Sequence, residues 1–395
     1  CIFSNVVVTM PQVCIKKMAR YEFLIMNSDF FNDIQNILNI CNFLNTNLYN
    51  QPLMDDHIQI VDLFCGMGGF HLGISQACHD HQKTSECVFA SDIDKFACQT
   101  YHANFDIQPF GDITKIKAED VPPHDILCGG FPCQSFSSIG KREGFEHATK
   151  GNLFFEVCRL LKHHQTPVCF LENVAGLLTH NKGDTFATIC QTLQELGYHI
   201  HYKVFDGADF GTASHRKRIF IVGFQDKVRS QVFTWPEPTH ADNHVGIGSI
   251  IEQHNDGYCI TKHLQQSYLF KRKDGTVRTD GRPRVVDTTT TTPVNTLVST
   301  YHKIQRLTGT FVKDGKTGLR LFSRNECKQM MGFPKEFKMP VSRTQMYRQT
   351  GNSVSVPVIK AITSQIIATM YPVKEERSTE EEQQSNKHIC KKRKI

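Results

Sequence analysis

From His57 to about residue 200, short apolar runs of strand length alternate with stretches of helical spacing. Ile58–Phe64 (IQIVDLF) is rich in β-branched residues, Cys65–Phe70 (CGMGGF) is a glycine cluster, and His71–His79 (HLGISQACH) carries helical spacing. The order recurs with Cys87–Asp94 and Lys95–Phe105, with Asp125–Cys133, and with Pro167–Gly176 followed by Thr185–Tyr198. Strands separated by helices cannot close as hairpins, so they line up parallel with helices packed on both faces. The expected fold is α/β, a largely parallel, doubly wound sheet. Tyr202–Gly211 and Arg218–Phe224 read as two further adjacent strands that form an antiparallel edge pair.

The flanks differ in character. Residues 1–56 show loose helical periodicity and no recognisable chemistry, and a fresh start at Met54 would look natural. Residues 57–225 form the first part of the main domain. Residues 226–317 have weak periodicity, four prolines, a threonine run from Thr288 to Thr292, and basic residues at Lys271, Arg272, Lys273, Arg278, Arg282 and Arg284. They read as a small, irregular, β-leaning domain with a positive face. Order returns over 318–371, where Ser323 and Glu326 match a capping box and Val358, Ile359, Ile362 and Ile366 line a helix. Residues 372–395 are a charged tail expected to be disordered.

Composition excludes several classes. The 15 cysteines are odd in number and contain no C-x-x-C pair, which argues against a disulfide scaffold and a structural zinc site. No uninterrupted apolar run reaches the length of a membrane span, and no secretory leader is visible at the start. The expected location is therefore cytoplasmic. Lys+Arg 45 against Asp+Glu 39 leaves +6, which permits a polyanionic partner without requiring one.

Chemistry gathers where strands end. Asp62, Phe64, Gly66, Gly68 and Gly69 lie in a strand–loop–helix turn whose backbone N–H groups are expected to face an anion at the helix start. The loop lacks G-K-[ST], and the second strand ends in Asp92, placed to take ribose hydroxyls. An adenosine-bearing cofactor follows. In Gly129–Ser137 (GGFPCQSFS), Pro132 stiffens the approach to Cys133, which stands beyond a strand end as a candidate nucleophile. Glu172 and Asn173 end the next strand, and Arg216 and Arg218 share one face of the last.

These segments, in this order, resemble the DNA cytosine-5 methyltransferase family: DLFCGMGGF, GGFPCQSFS, ENV, HRKRIFIVG, RNECKQMMGFP and QTGNSVSVP, across roughly His57 to Tyr371. The resemblance is to its bacterial restriction-modification, type II members. It implies a Rossmann-like S-adenosylmethionine-dependent domain with residues 226–317 as a target-recognition domain. Cys133 matches the thiolate that adds to cytosine C6, and Glu172 the acid at N3. Arg218 and Arg216 match the arginines that hold the base at O2 and orient the carboxylate, with Pro132 and Asn173 positioning the substrate. Phe64 would stack on adenine, and the backbone of Cys65, Gly66, Gly68 and Gly69 would cradle the methionine portion. Asp92 would hold the ribose, Asp112 and Ile113 would border the adenine, and Asn352 and Ser353 would close the pocket. The methyl donor S-adenosylmethionine carries its own activation as a sulfonium, so no metal is needed.

By the same resemblance the partner is double-stranded DNA, with a restriction endonuclease of matching specificity, and the enzyme is a monomer in the bacterial cytoplasm. Lys141 and Arg142, in a glycine-hinged loop after Cys133, and Arg282 and Arg284 are candidate DNA contacts. Ser214 departs from the pattern, since many relatives carry Gln there, and it is left out of the site. Two alternatives stay open: a cytosine-5 methyltransferase acting on tRNA, and a DNA-binding module without catalysis.

Overall fold

The computed structural model describes residues 56–132, 153–272 and 274–372. In chain order these hold β1 (His57–Leu63), α1 (Gly69–Asp80), β2 (Thr84–Ser91), α2 (Lys95–Phe105), β3 (Ile126–Gly129), α3 (Leu153–His164), β4 (Val168–Val174), α4 (Asp184–Glu195), β5 (His199–Asp206), β6 (Lys217–Phe224) and α5 (Lys227–Val232). After these come β7 (Arg284–Val286), β8 (Thr310–Val312), α6 (Arg324–Met330), α7 (Arg343–Asn352) and α8 (Val356–Met370).

Six strands form one sheet in the order β2-β1-β3-β4-β6-β5. The first four are mutually parallel, as the alternation predicts. β5 and β6 do pair antiparallel, yet β6 also pairs antiparallel with β4, so only β5 lies at the edge. The sequences account for that order. Ile219–Phe224 is buried on both faces, which suits an interior strand, whereas the middle of β5, with Tyr202, Lys203 and Val204, is exposed.

Strand alternation sends residues to two cores. Ile58, Ile60, Phe170, Phe220 and Val222 pack towards Ile74 of α1 and Ile359, Ile362 and Ile366 of α8. Val61, Leu63, Leu127, Leu171 and Ile221 pack towards Phe154 and Leu161 of α3 and Ile189 and Leu193 of α4. Gly73 lets α1 and α8 approach closely, because a Cβ there would lie 2.7 Å from Ile359 Cβ. Among the described residues Arg343–Met370 is long and apolar enough to cross a membrane, but it is folded as α7 and α8 and is mostly buried.

Among the described residues, 226–317 hold α5, two short parallel strands, β7 and β8, and short helical turns joined by irregular segments. Their apolar residues, including Ile247, Leu269, Val286, Val294 and Phe311, share one cluster with Phe322, Met330, Met346 and Tyr347 of the returning segment. Arg320 fastens the joint. Its guanidinium is fully buried and forks onto the Glu326 carboxylate at 2.8 and 2.7 Å, with Nε on Asp314 Oδ2 at 2.9 Å and Nη2 on the Glu252 carbonyl at 2.5 Å. Glu326 also completes the capping box with Ser323 that the sequence predicts.

Removing one member of a buried pair leaves an uncompensated charge. Glu326→Leu should therefore lower unfolding free energy by about 3–5 kcal/mol in chemical denaturation. A loss below about 1 kcal/mol would show that the network is not holding the joint.

Candidate active site

Parallel sheets bind ligands beyond the carboxyl ends of their strands, where the strand order reverses. Here the reversal falls between β1 and β3. The loop after β1 turns sharply: Phe64 (φ 54), Gly66 (φ 55) and Gly68 (φ 90) are all left-handed. At Gly68 a side chain is excluded twice, by φ and by the Phe105 ring, which a Cβ would meet at 2.2 Å.

Two backbone donors around this loop are taken by the protein's own carboxyls. Gly66 N donates to Asp92 Oδ2 at 2.8 Å, and the N–H of His71, in the first turn of α1, donates to Asp62. Burial, and then the charge of Asp92, push the Asp62 carboxyl up to about 8. Asp92 is raised too, first by burial.

The other expected cofactor residues are close by. Phe64 is half-buried, and Cys65 is buried with its thiol pushed up, chiefly by desolvation. Asp112 caps the turn that follows, accepting from Thr114 N at 3.1 Å and Thr114 Oγ1 at 2.7 Å, and these bonds hold its carboxyl below the usual range. Ile113 is buried, so its side chain belongs to the core and its backbone is what can meet a ligand. Ser353 and Val354 lie against Gly69, where a Cβ would come within 3.2 Å of Ser353 Oγ, while Asn352 is exposed at the end of α7. Sequence reasoning missed Ile93 and Phe110. Ile93, next to Asp92, is 78% exposed, and Phe110, 53% exposed, stacks on Phe89 and is tied to β2 by its bonds to Ala90 and Asp92. An apolar residue directly after the acid at a strand end is the one signal for Ile93. For Phe110 exposure appears only in the fold.

The second group forms at the end of β4. Antiparallel register sets Val174 opposite Arg218 and Glu172 opposite Phe220, so Arg218 lies diagonally across from Glu172 on the same face. Arg218 Nε meets Glu172 Oε1 at 2.9 Å. Burial raises the Glu172 carboxyl, with Arg218 and then Arg216 opposing the shift. Gly130 presses close, since a Cβ would lie 3.1 Å from Glu172 Oε2. Asn173 Nδ2 donates to the Phe131 carbonyl at 2.8 Å and fixes the path into the exposed Pro132. Cys133, Lys141 and Arg142 lie outside the described residues.

Arg216 does not touch Glu172. Its Nη1 and Nη2 both donate to the Gly351 carbonyl at 3.2 Å, and burial, with Arg218 adding, brings the guanidinium down to about 9. Its backbone N donates to Asp206 Oδ1 at 2.7 Å, while Asp206 Oδ2 holds His215 Nδ1 at 3.0 Å. Gly351 was invisible as a site residue because its contact to Arg216 spans 135 positions. Arg282 and Arg284 donate within their own region: Arg282 to the Leu307 carbonyl at 2.9 Å, Arg284 to the Pro293 carbonyl at 3.1 Å and Thr292 Oγ1 at 2.8 Å. Arg284 thus shapes the threonine run.

Comparison with known proteins gives this geometry a family. Residues 58–368 match the family of C-5 cytosine-specific DNA methylases. The chain is 50% identical over 322 residues to the type II methyltransferase M.MspI of Moraxella sp, covering 82% of this chain and 73% of that protein. It is 53% identical over 305 residues to the type II methyltransferase M.BsuFI of Bacillus subtilis, covering 77% and 71%. In fold it resembles the S. pombe Dnmt2 methyltransferase, with a TM-score of 0.62 at 18% identity over 80% of this chain and 99% of that one. The chain belongs to the C-5 cytosine-specific DNA methylase family and is a DNA (cytosine-5) methyltransferase.

Proposed function

We propose that the protein methylates C5 of a flipped-out cytosine within a short, defined sequence of double-stranded DNA through a covalent bond from Cys133 to C6. The observation that carries this reading is the buried Glu172–Arg218 pair, set beside the Asn173-held path that leads into Cys133. S-adenosylmethionine supplies the methyl group as an electrophile on a cationic sulfur. The glycine loop with its two carboxyls, and the apolar faces of Ile93 and Phe110, suit a cationic ligand that bears an adenine.

Cytosine C5 is a poor nucleophile until a thiolate adds at C6 and makes the ring an enamine. The electron density that arrives is met at N3 by a proton from Glu172, whose carboxyl burial raises, the direction a donor needs. Arg218 keeps that carboxyl oriented and its remaining donors face O2 of the base. Loss of the C5 proton and departure of the Cys133 sulfur restore the ring. Because C5 and C6 are stacked inside the duplex, the base leaves the helix first, at a cost of a few kcal/mol recovered in the pocket. The type II names of the relatives support pairing with a restriction endonuclease of the same specificity.

Fluorine at C5 leaves no proton to remove, which blocks elimination of the thiol. Duplex DNA carrying 5-fluorocytosine at the target should therefore give a denaturation-resistant adduct with the parent protein in the presence of S-adenosylmethionine, and none with Cys133→Ser. An adduct in that variant would remove Cys133 from the mechanism. Glu172→Gln should lower methyl transfer by about 10²–10⁴-fold while DNA binding stays within about threefold. Retention of full activity would show that no acid at this position is needed.

A further inference from the structure

Asp92 accepts from Gly66 N within the loop and Asp62 from the N–H of His71 just after it, and among the described residues neither has an ion-pair partner. Asp62 is fully buried. Its neighbours are the His71 backbone N–H, Tyr101 Oη at 3.5 Å and Cys128 Sγ at 3.8 Å. Tyr101 is in turn held by His71 Nδ1 at 2.9 Å and Cys87 Sγ at 3.3 Å. Every titratable group that faces Asp62 is thus a carboxyl, a phenol, a thiol or this one imidazole. His71 is no counter-cation, because burial against Phe105, whose ring stacks on it at 4.1 Å, brings its imidazole down to about 4. Among the described residues no cation faces the Asp62 carboxyl.

Buried carboxylates are ordinarily paired, or else they hold a proton. At a site for a cationic ligand there is a third way, in which the ligand provides the balance. On the reading above, the methyl donor carries a sulfonium and its demethylated product a neutral thioether, so the two differ by one positive charge at the sulfur. We propose that Asp62 is the residue by which this enzyme tells donor from product: it gives its proton to solvent when the sulfonium form seats over the loop, and takes one back from solvent when the sulfur is neutral.

The direction of the pH effect follows. In the free protein the Asp62 carboxyl lies at about 8, and a cation above it lowers that value. Stabilisation of the bound state is then fully present above the free protein's value and is lost as pH falls through the bound one. Affinity for S-adenosylmethionine should rise by about tenfold between pH 6.5 and 8.5, and affinity for S-adenosylhomocysteine by less than about threefold.

The test is calorimetry of both ligands on the full chain in buffers of different ionisation enthalpy, with Asp62→Asn alongside to cancel titration of the ligand's own amine. The expected result is release of most of a proton with S-adenosylmethionine near pH 7.3, little with S-adenosylhomocysteine, and loss of the difference in Asp62→Asn. Equal release with the two ligands in the parent protein would overturn the proposal, as would a difference that survives in the variant. If Asp62→Asn does not fold, Tyr101→Phe takes its place: loss of that hydrogen bond should move the pH of greatest difference between the two ligands upward, and an unmoved profile would overturn the proposal. Binding of neither ligand would instead overturn the cofactor reading on which the proposal rests.

Discussion

β6 runs antiparallel between β4 and β5, and the site depends on that reversal. In a wholly parallel sheet every strand would send its carboxyl end to the ligand side. Because β6 is reversed, its amino end arrives there instead, bringing Arg216 and Arg218 next to Glu172. The register then decides which arginine does what. Arg218, diagonal to Glu172, meets its carboxylate, and Arg216, two residues earlier, turns to the Gly351 carbonyl. One strand thus joins Glu172 to the segment of α7, Asn352 and Ser353.

Burial of charge is the second theme. Three acids, Glu172, Asp62 and Glu326, are removed from water and resolved in different ways. Glu326 is matched by Arg320 at full hydrogen-bond valence, which makes it structural. Glu172 is only partly offset by its arginines, so its carboxyl stays raised. Asp62 has no cation near it among the described residues, which leaves room for a cationic ligand to set its state. The same carboxyl group is thus fully paired at Glu326, partly offset at Glu172 and without an ion-pair partner among the described residues at Asp62.

Local signals in the sequence were reliable. Alternating strand and helix spacing predicts the doubly wound sheet, Ser323 and Glu326 predict their capping box, and the glycine cluster predicts a turn with positive φ. What could not be read was set by contacts between distant residues. The interior place of β6 depends on which strands find it. Gly66 N, one of the loop donors expected to face a ligand's anion, is taken by Asp92, and no periodicity reports that. Arg282 and Arg284, read as a positive face, spend donors on carbonyls of their own segment, because irregular backbone needs side chains to satisfy it. The nucleophile assignment at Cys133 stands on sequence, together with the anchored path that leads into it.

The most direct measurement of the central claim is transfer of labelled methyl from S-adenosylmethionine to unmethylated duplex DNA and to tRNA in parallel, followed by base-resolution mapping of 5-methylcytosine. The account predicts label in DNA alone, at a single cytosine of one recurrent short motif. Label confined to tRNA, or absent from both, would contradict it.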